Sequence, residues 1–152
     1  MSQSSPSGAA PLFIDTGAFY ARFKPDDENH GAAATVFDGI QAGSLPYRPL
    51  YTSRYVLSEL STLLLYNVGH TEAIRVLTTI RTSESFNICP VDDAVYSTTC
   101  DEFARYDDHE ISFVDQLGGV LARERDIDRI FAFDGDFRTL GFTVVPEDTG
   151  EA

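Results

Sequence analysis

The chain has 152 residues, enough for one domain with a full hydrophobic core. Its 43% apolar and 23% charged content excludes a disordered segment, a collagen-like fibre and a disulfide-dense miniprotein, and no run of about 18 apolar residues is present to span a membrane. Eleven basic residues against 24 acidic ones leave a net charge of −13, with Lys24 the single lysine. That balance reads as adaptation to a halophilic cytoplasm, where molar salt shortens the Debye length to about 3 Å, in preference to a mesophilic acidic protein that repels nucleic acid.

Residues 1–10, rich in Ser, Gly, Ala and Pro, read as a flexible tail. They lack the basic start and apolar stretch of a secretion signal, so a cytoplasmic location is expected. Leu12-Phe13-Ile14 is short, apolar and non-alternating, the pattern of a strand buried on both faces. A helix over 17–23 is stopped by Lys24-Pro25, and a second over 27–42 closes at Gly43. Residues 49–52 form a second strand. Val56, Leu57, Leu60, Leu63, Leu64 and Val68 then recur at helical period over 54–68. Gly69 ends that helix and 71–82 forms the next. Residues 86–89 are a third strand, stopped by Pro90. Helices over 92–106 and 112–125, a fourth strand over 130–133, a helical turn over 137–140 and a fifth strand over 142–145 complete a domain spanning 11–146. Residues 147–152 read as a frayed acidic tail. Cys89 and Cys100 match no zinc spacing and are too few for a disulfide framework.

Strands separated by helices imply a parallel sheet with helices on both faces. Such sheets bind ligands at the carboxyl ends of their strands. Two acidic groups stand there: Asp15-Thr16 after the first strand and Asp134-Gly135-Asp136 after the fourth. Asp15 reads equally as a cap for the next helix. Asp-Gly is a turn signal, so Asp134 or Asp136 reads equally as a turn or cap residue. Glu59 lies at the border of an apolar helical stripe, facing either water or the sheet edge. Asp115 makes a capping box with Ser112, the stronger reading for that pair, on a face shared with Gly118, Gly119 and Ala122, away from the large apolar stripe. Taken together, four acids at strand ends or in first helical turns are placed to converge on one cleft. An oxygen-only donor set without His or Cys selects Mg²⁺ or Mn²⁺ over zinc.

These residues resemble those of PIN-domain ribonucleases, most closely the VapC-type toxins of toxin–antitoxin pairs. The resemblance runs through Phe13-Ile14-Asp15-Thr16, Ser58-Glu59-Leu60, Ser112-Phe113-Val114-Asp115 and Phe133-Asp134-Gly135-Asp136-Phe137. It implies a three-layer α/β/α fold around a central, mainly parallel five-stranded sheet, and metal-dependent hydrolysis of RNA. Asp15, Glu59, Asp115 and Asp134 are then the catalytic metal-binding acids, with Asp136 an outer ligand and Thr16 and Ser112 hydroxyls holding carboxylates in place. Arg22, Arg54, Arg123 and Arg138 flank the motifs as candidates for contacting RNA, although each also reads as a surface arginine paired with an acid. Tyr20 and Tyr55 are candidates for stacking on bases or for the core.

The resemblance further implies a homodimer and a VapB-type antitoxin. The 56–64 and 74–80 helices offer apolar surface for such partners, with core packing the simpler use of it. P-loop, dinucleotide-binding and esterase motifs are absent, and His30, His70 and His109 stand singly. The rival to a nuclease is a non-catalytic PIN-like module binding RNA or protein.

Overall fold

Seven helices and five strands alternate along residues 8–152, the part of the chain that the computed structural model describes. Strand β1 (Ala10–Ile14) is the centre of the sheet. Its Leu12, Phe13 and Ile14 are fully buried, as their uniformly apolar character predicts. Helices α1 (Thr16–Phe23) and α2 (His30–Ala42) return the chain to β2 (Tyr47–Ser53). Helices α3 (Arg54–Asn67) and α4 (His70–Thr82) lead to β3 (Phe86–Cys89). Helices α5 (Asp93–Arg105) and α6 (Phe113–Glu124) carry it back to β4 (Arg129–Phe131), and α7 (Asp136–Thr139) joins β4 to β5 (Thr143–Val145).

The sheet order is β3-β2-β1-β4-β5 and every pairing is parallel. The first two crossovers run one way and the next two the other. Right-handed crossovers therefore put α1–α4 on one face and α5–α7 on the opposite face. Packing agrees: α1 sits against α2 and α3, and α6 against α5 and α7. Register sets the side chains accordingly. Ile14 pairs with Phe131, whose ring meets Phe37 of α2 at 4.9 Å, while Phe13 turns to the other face, against α6 at Gly118.

Several boundaries differ from the sequence reading. Strand β1 begins at Ala10, which pairs with Tyr47, and Ala9 is buried, so the end of the supposed tail belongs to the fold. Residues 1–7 of that tail lie outside the described residues. Residues 147–152 are not frayed: the Asp148 carboxylate accepts from the Val144 backbone N–H at 2.8 Å and pairs with Arg138, and Glu151 accepts from the Tyr47 hydroxyl. Residues 27–29 make a turn in which Asp27 accepts from the Asn29 N–H, so α2 starts only at His30. Helix α6 is buried all round over 115–122, so its small-residue face meets the core and not solvent. The apolar residues of α3 and α4 are chiefly core: Val56, Leu57, Leu60, Leu64, Val76 and Ile80 are buried, which leaves Leu65, Tyr66, Val68 and Ile74 outside. Among the described residues no helix is long and apolar enough to cross a membrane.

Candidate active site

Because the crossover direction reverses between β1 and β4, the loops that follow these two strands part and leave a crevice. Asp15 is the first residue past β1, and Asp134 is the third past β4. Both line a cleft of about 440 Å³ whose wall carries six carboxylates: Asp15, Glu59, Glu110, Asp115, Asp134 and Asp136. Thr16, Ser112, Leu63 and Phe133 complete much of the wall, and among the described residues no Arg, Lys, His or Cys lines it.

Local structure explains each placement. Asp15 caps α1, with Oδ2 accepting from the Gly17 N–H at 3.4 Å, while its buried Oδ1 has no hydrogen-bond partner. Asp15 thus caps the helix and lines the cleft, so the two readings hold together. Ser112 caps α6 through the Asp115 N–H at 3.1 Å. The return bond of a capping box is not among the described hydrogen bonds, and the buried Asp115 carboxylate lines the cleft instead. Gly118, one turn on, is what lets α6 come close to β1: a Cβ there would meet the Phe13 ring at 3.1 Å. The fourth strand stops two residues earlier than its apolar run suggests. Ala132 still donates to Val145 at 3.1 Å, but Phe133 leaves the ladder. Asp134 then turns the chain by accepting from the Asp136 N–H at 2.9 Å. Glu59 is the sixth residue of α3, in its second turn and not the first as expected, and Leu63 repeats its position one turn later.

Carboxylate oxygens of Asp115, Asp134 and Asp136 lie within 4.8 Å of one another. Crowding has its electrostatic consequence. Burial pushes the Asp15 carboxyl up to about 7, against the backbone N–H groups of Thr16 and Gly17 and with help from Glu59 and Asp134. Asp115 is pushed up to about 8, first by burial and then by Asp15, Asp134, Glu59 and Asp136. Asp136 is raised by desolvation and by Asp134, and His109 offsets part of this. Buried like charges hold protons unless a cation lies among them. An oxygen-only wall, a buried carboxylate oxygen without a partner and a compact acidic trio fit a hard divalent ion.

Some expected residues take other parts. The Thr16 hydroxyl is buried without a partner and the Ser112 hydroxyl accepts from the Asp115 N–H; among the described hydrogen bonds neither donates to a carboxylate. The flanking arginines do not line the cleft. Arg123 donates to the Leu140 carbonyl at 2.6 Å and lies over the Phe142 ring, Arg138 is paired with Glu147 and Asp148, and Arg22 lies over Phe23. Arg54 is exposed and forms no ion pair among the described residues. Tyr20 packs against the core. Glu110 is the cleft residue that sequence reasoning missed; it sits in the loop between α5 and α6 with no motif around it, and its one signal is lying two residues before Ser112.

The PIN domain family model matches residues 12–143. The 23S rRNA-specific endonuclease VapC20 of Mycobacterium tuberculosis is 32% identical over 134 residues, which is 88% of this chain and 97% of that protein. The crystal structure of VapC20, described as a sarcin–ricin loop cleaving toxin, superposes with a TM-score of 0.78 at 30% identity, over 87% of this chain and 96% of that one. FitAcB from Neisseria gonorrhoeae, at 18% identity and a TM-score of 0.62 over 88% and 95% of the two chains, shares the fold. VapBC2 from Rickettsia felis, bound to a DNA fragment from its promoter, shares it at 12% identity and 0.60 over 88% and 96%.

Proposed function

The chain belongs to the PIN-domain family, and on that premise we propose that it is a metal-dependent endoribonuclease and the toxin of a type II toxin–antitoxin pair. The observation that carries this reading is the arrival of Asp15, Glu59, Asp115 and Asp134, from four separate segments, at one cleft. Asp115, Asp134 and Asp136 would hold Mg²⁺ or Mn²⁺, with the unpartnered Oδ1 of Asp15 turned to the same need. Such an ion, when bound, neutralises charge growing on the phosphoryl oxygens and lowers the pKa of its water. Glu59, on the helix wall, accepts a hydrogen bond from the attacking water and orients it. Asp15 and Asp115, buried and raised, relieve their repulsion only through protons or a cation. The cleft repels a phosphate when metal-free, so RNA binding follows metal binding. The apolar Leu63 and Phe133 limit water at the reacting centre.

Ribosomal RNA, on which the mycobacterial relative acts by its name, is the first substrate to test. A cytoplasmic location and a halophilic setting accord with the net charge of −13. A homodimer and a VapB-type antitoxin are proposed as partners, and exposed Leu65, Tyr66, Val68 and Ile74 are apolar surface suited to protein contact. The caps made by Asp15 and Ser112 and the turn made by Asp134 are what favour the rival, a binding module whose acids are structural.

Incubating the protein with a hairpin RNA of the sarcin–ricin type separates the two. The nuclease cuts it with Mg²⁺ or Mn²⁺, stops with a chelator, and loses at least about a hundredfold in rate on Asp115→Asn. Failure of the unsubstituted protein to cut with either ion selects the module.

A further inference from the structure

Beside the carboxylate cleft lies a second groove of about 620 Å³, and the two share Glu110 and Ser112. Three of its eight lining residues carry rings: Phe103, Tyr106 and His109, the last two meeting edge to face at 5.8 Å. Phe103 is 48% exposed at the end of α5, an unusual position for a phenylalanine with no covering element. Behind it stands Phe113, the residue after Ser112, whose ring lies 5.8 Å from Phe103 and 6.3 Å from Tyr55. Tyr55 is one turn before Glu59 on the same face of α3. A row of rings, Tyr55, Phe113 and Phe103, therefore leads from one helical turn before Glu59 to the outer face of α5.

Charge narrows the occupant. Asp107 and Glu110 border the groove, and Arg105, whose guanidinium lies over the Tyr106 ring, is paired with Glu102. An anionic handle, whether phosphate or acidic peptide, is repelled here, whereas a neutral flat ring is not. Carboxylates beside a stacking platform accept hydrogen bonds from amino groups and repel carbonyl oxygens. Resting on the nuclease reading of the adjoining cleft, we propose that this groove holds one unpaired nucleobase of the RNA substrate, next to the cut phosphate, and prefers bases with an exocyclic amine (adenine, cytosine, guanine) over uracil. Base stacking then supplies the grip that this surface denies to phosphate contacts, and it persists in high salt.

The test uses full-length protein carrying Asp15→Asn, which binds without cutting, and a single-stranded RNA octamer with one 2-aminopurine, an amine-bearing fluorescent base. Stacking quenches the probe. Phe103→Ala weakens binding by about tenfold or more and removes the quench, Phe103→Trp restores both, and a uracil at the same position binds several-fold more weakly. In the cutting-competent chain Phe103→Ala raises KM and leaves kcat within about threefold. Equal binding by Phe103→Ala, or no preference against uracil, overturns the inference while leaving the nuclease reading intact. A change from dimer to monomer on Phe103→Ala, read by sedimentation, also overturns it, since the row of rings would then face a second copy. Quenching without cleavage of any RNA by the unsubstituted protein sinks the nuclease reading and leaves the base groove standing.

Discussion

Replacing Asp15 with Asn removes a charge that the folded chain holds at a cost. The unfolded chain ionises this group at its ordinary value of 3.8, and the folded chain at about 7. Between those values the native state binds the extra proton, so stability falls as pH rises through the window and levels off above it. Three units at 1.36 kcal/mol each amount to about 4 kcal/mol above about pH 8. Asn keeps the cap, because its side-chain oxygen accepts from the Gly17 N–H as Asp does. In chelator at about pH 9, Asp15→Asn is therefore expected to be more stable than the unsubstituted chain by roughly 2–4 kcal/mol, or about 4–16 °C in melting temperature. By about pH 5 the gap shrinks below about 2 kcal/mol, since both chains are then neutral at this position when folded. Millimolar Mg²⁺ at the higher pH stabilises the unsubstituted chain and narrows the gap. Thermal melts across pH, with and without metal, read all of this. Asp15→Asn no more stable than its parent at high pH, or a gap that ignores pH, refutes the view that crowded, buried charge strains this cleft.

Glu110→Gln removes an exposed carboxylate of the cleft rim; the metal concentration for half-maximal cleavage rises several-fold while the rate at saturating metal changes less than about threefold, as a metal titration will show. Gly118→Val drives a branched side chain into the Phe13 ring, which already stands 3.1 Å from where a Cβ would be. Urea melts should show a loss of about 2–4 kcal/mol, and cleavage should fall because Asp115 shares that helix. With no arginine in the cleft wall, KM for a short RNA should change by less than about tenfold between about 0.2 and 2 M KCl; a fall in affinity of several orders of magnitude would instead reveal many phosphate contacts.

The sheet was legible because β1, β4 and β5 have apolar centres (Leu12-Phe13-Ile14, Ile130-Phe131 and Val144-Val145), with Gly43 and Gly69 ending helices and Pro90 ending a strand. Four of the cleft acids were legible for a related reason: each sits where a regular element starts or faces the sheet edge, and in a parallel sheet such positions are predictable. The capping readings did not compete with the cleft as they appeared to. Asp15 both caps α1 and lines the cleft, and Ser112 caps through the Asp115 backbone N–H, while the Asp115 carboxylate lines the cleft. Glu110 was invisible because irregular loops carry no period. The flanking arginines do not line the cleft, because proximity in sequence to a motif says nothing about direction. Arg123 reaches across to the Leu140 carbonyl and Arg138 to the carboxyl-terminal acids, both through tertiary contacts separated by ten or more residues. The end of the fourth strand was overrun because Ala132 and Phe133 look like strand and the partner ladder, not composition, ends it.

The pairing of β1 with β4 joins Phe13 to Ile130, and it bears on how such a chain is made in a cell. Until residues 129–136 have left the ribosome, Asp15 faces no partner strand on that side, and Asp134 and Asp136 have yet to reach it. A nascent or truncated product that stops short of them therefore lacks two of the six carboxylates of the wall and, on the nuclease reading, does not cut. On the toxin reading, harm to the host begins only once β4 and its acids are in place, which leaves the time of synthesis itself as an interval in which an inhibitor can be ready.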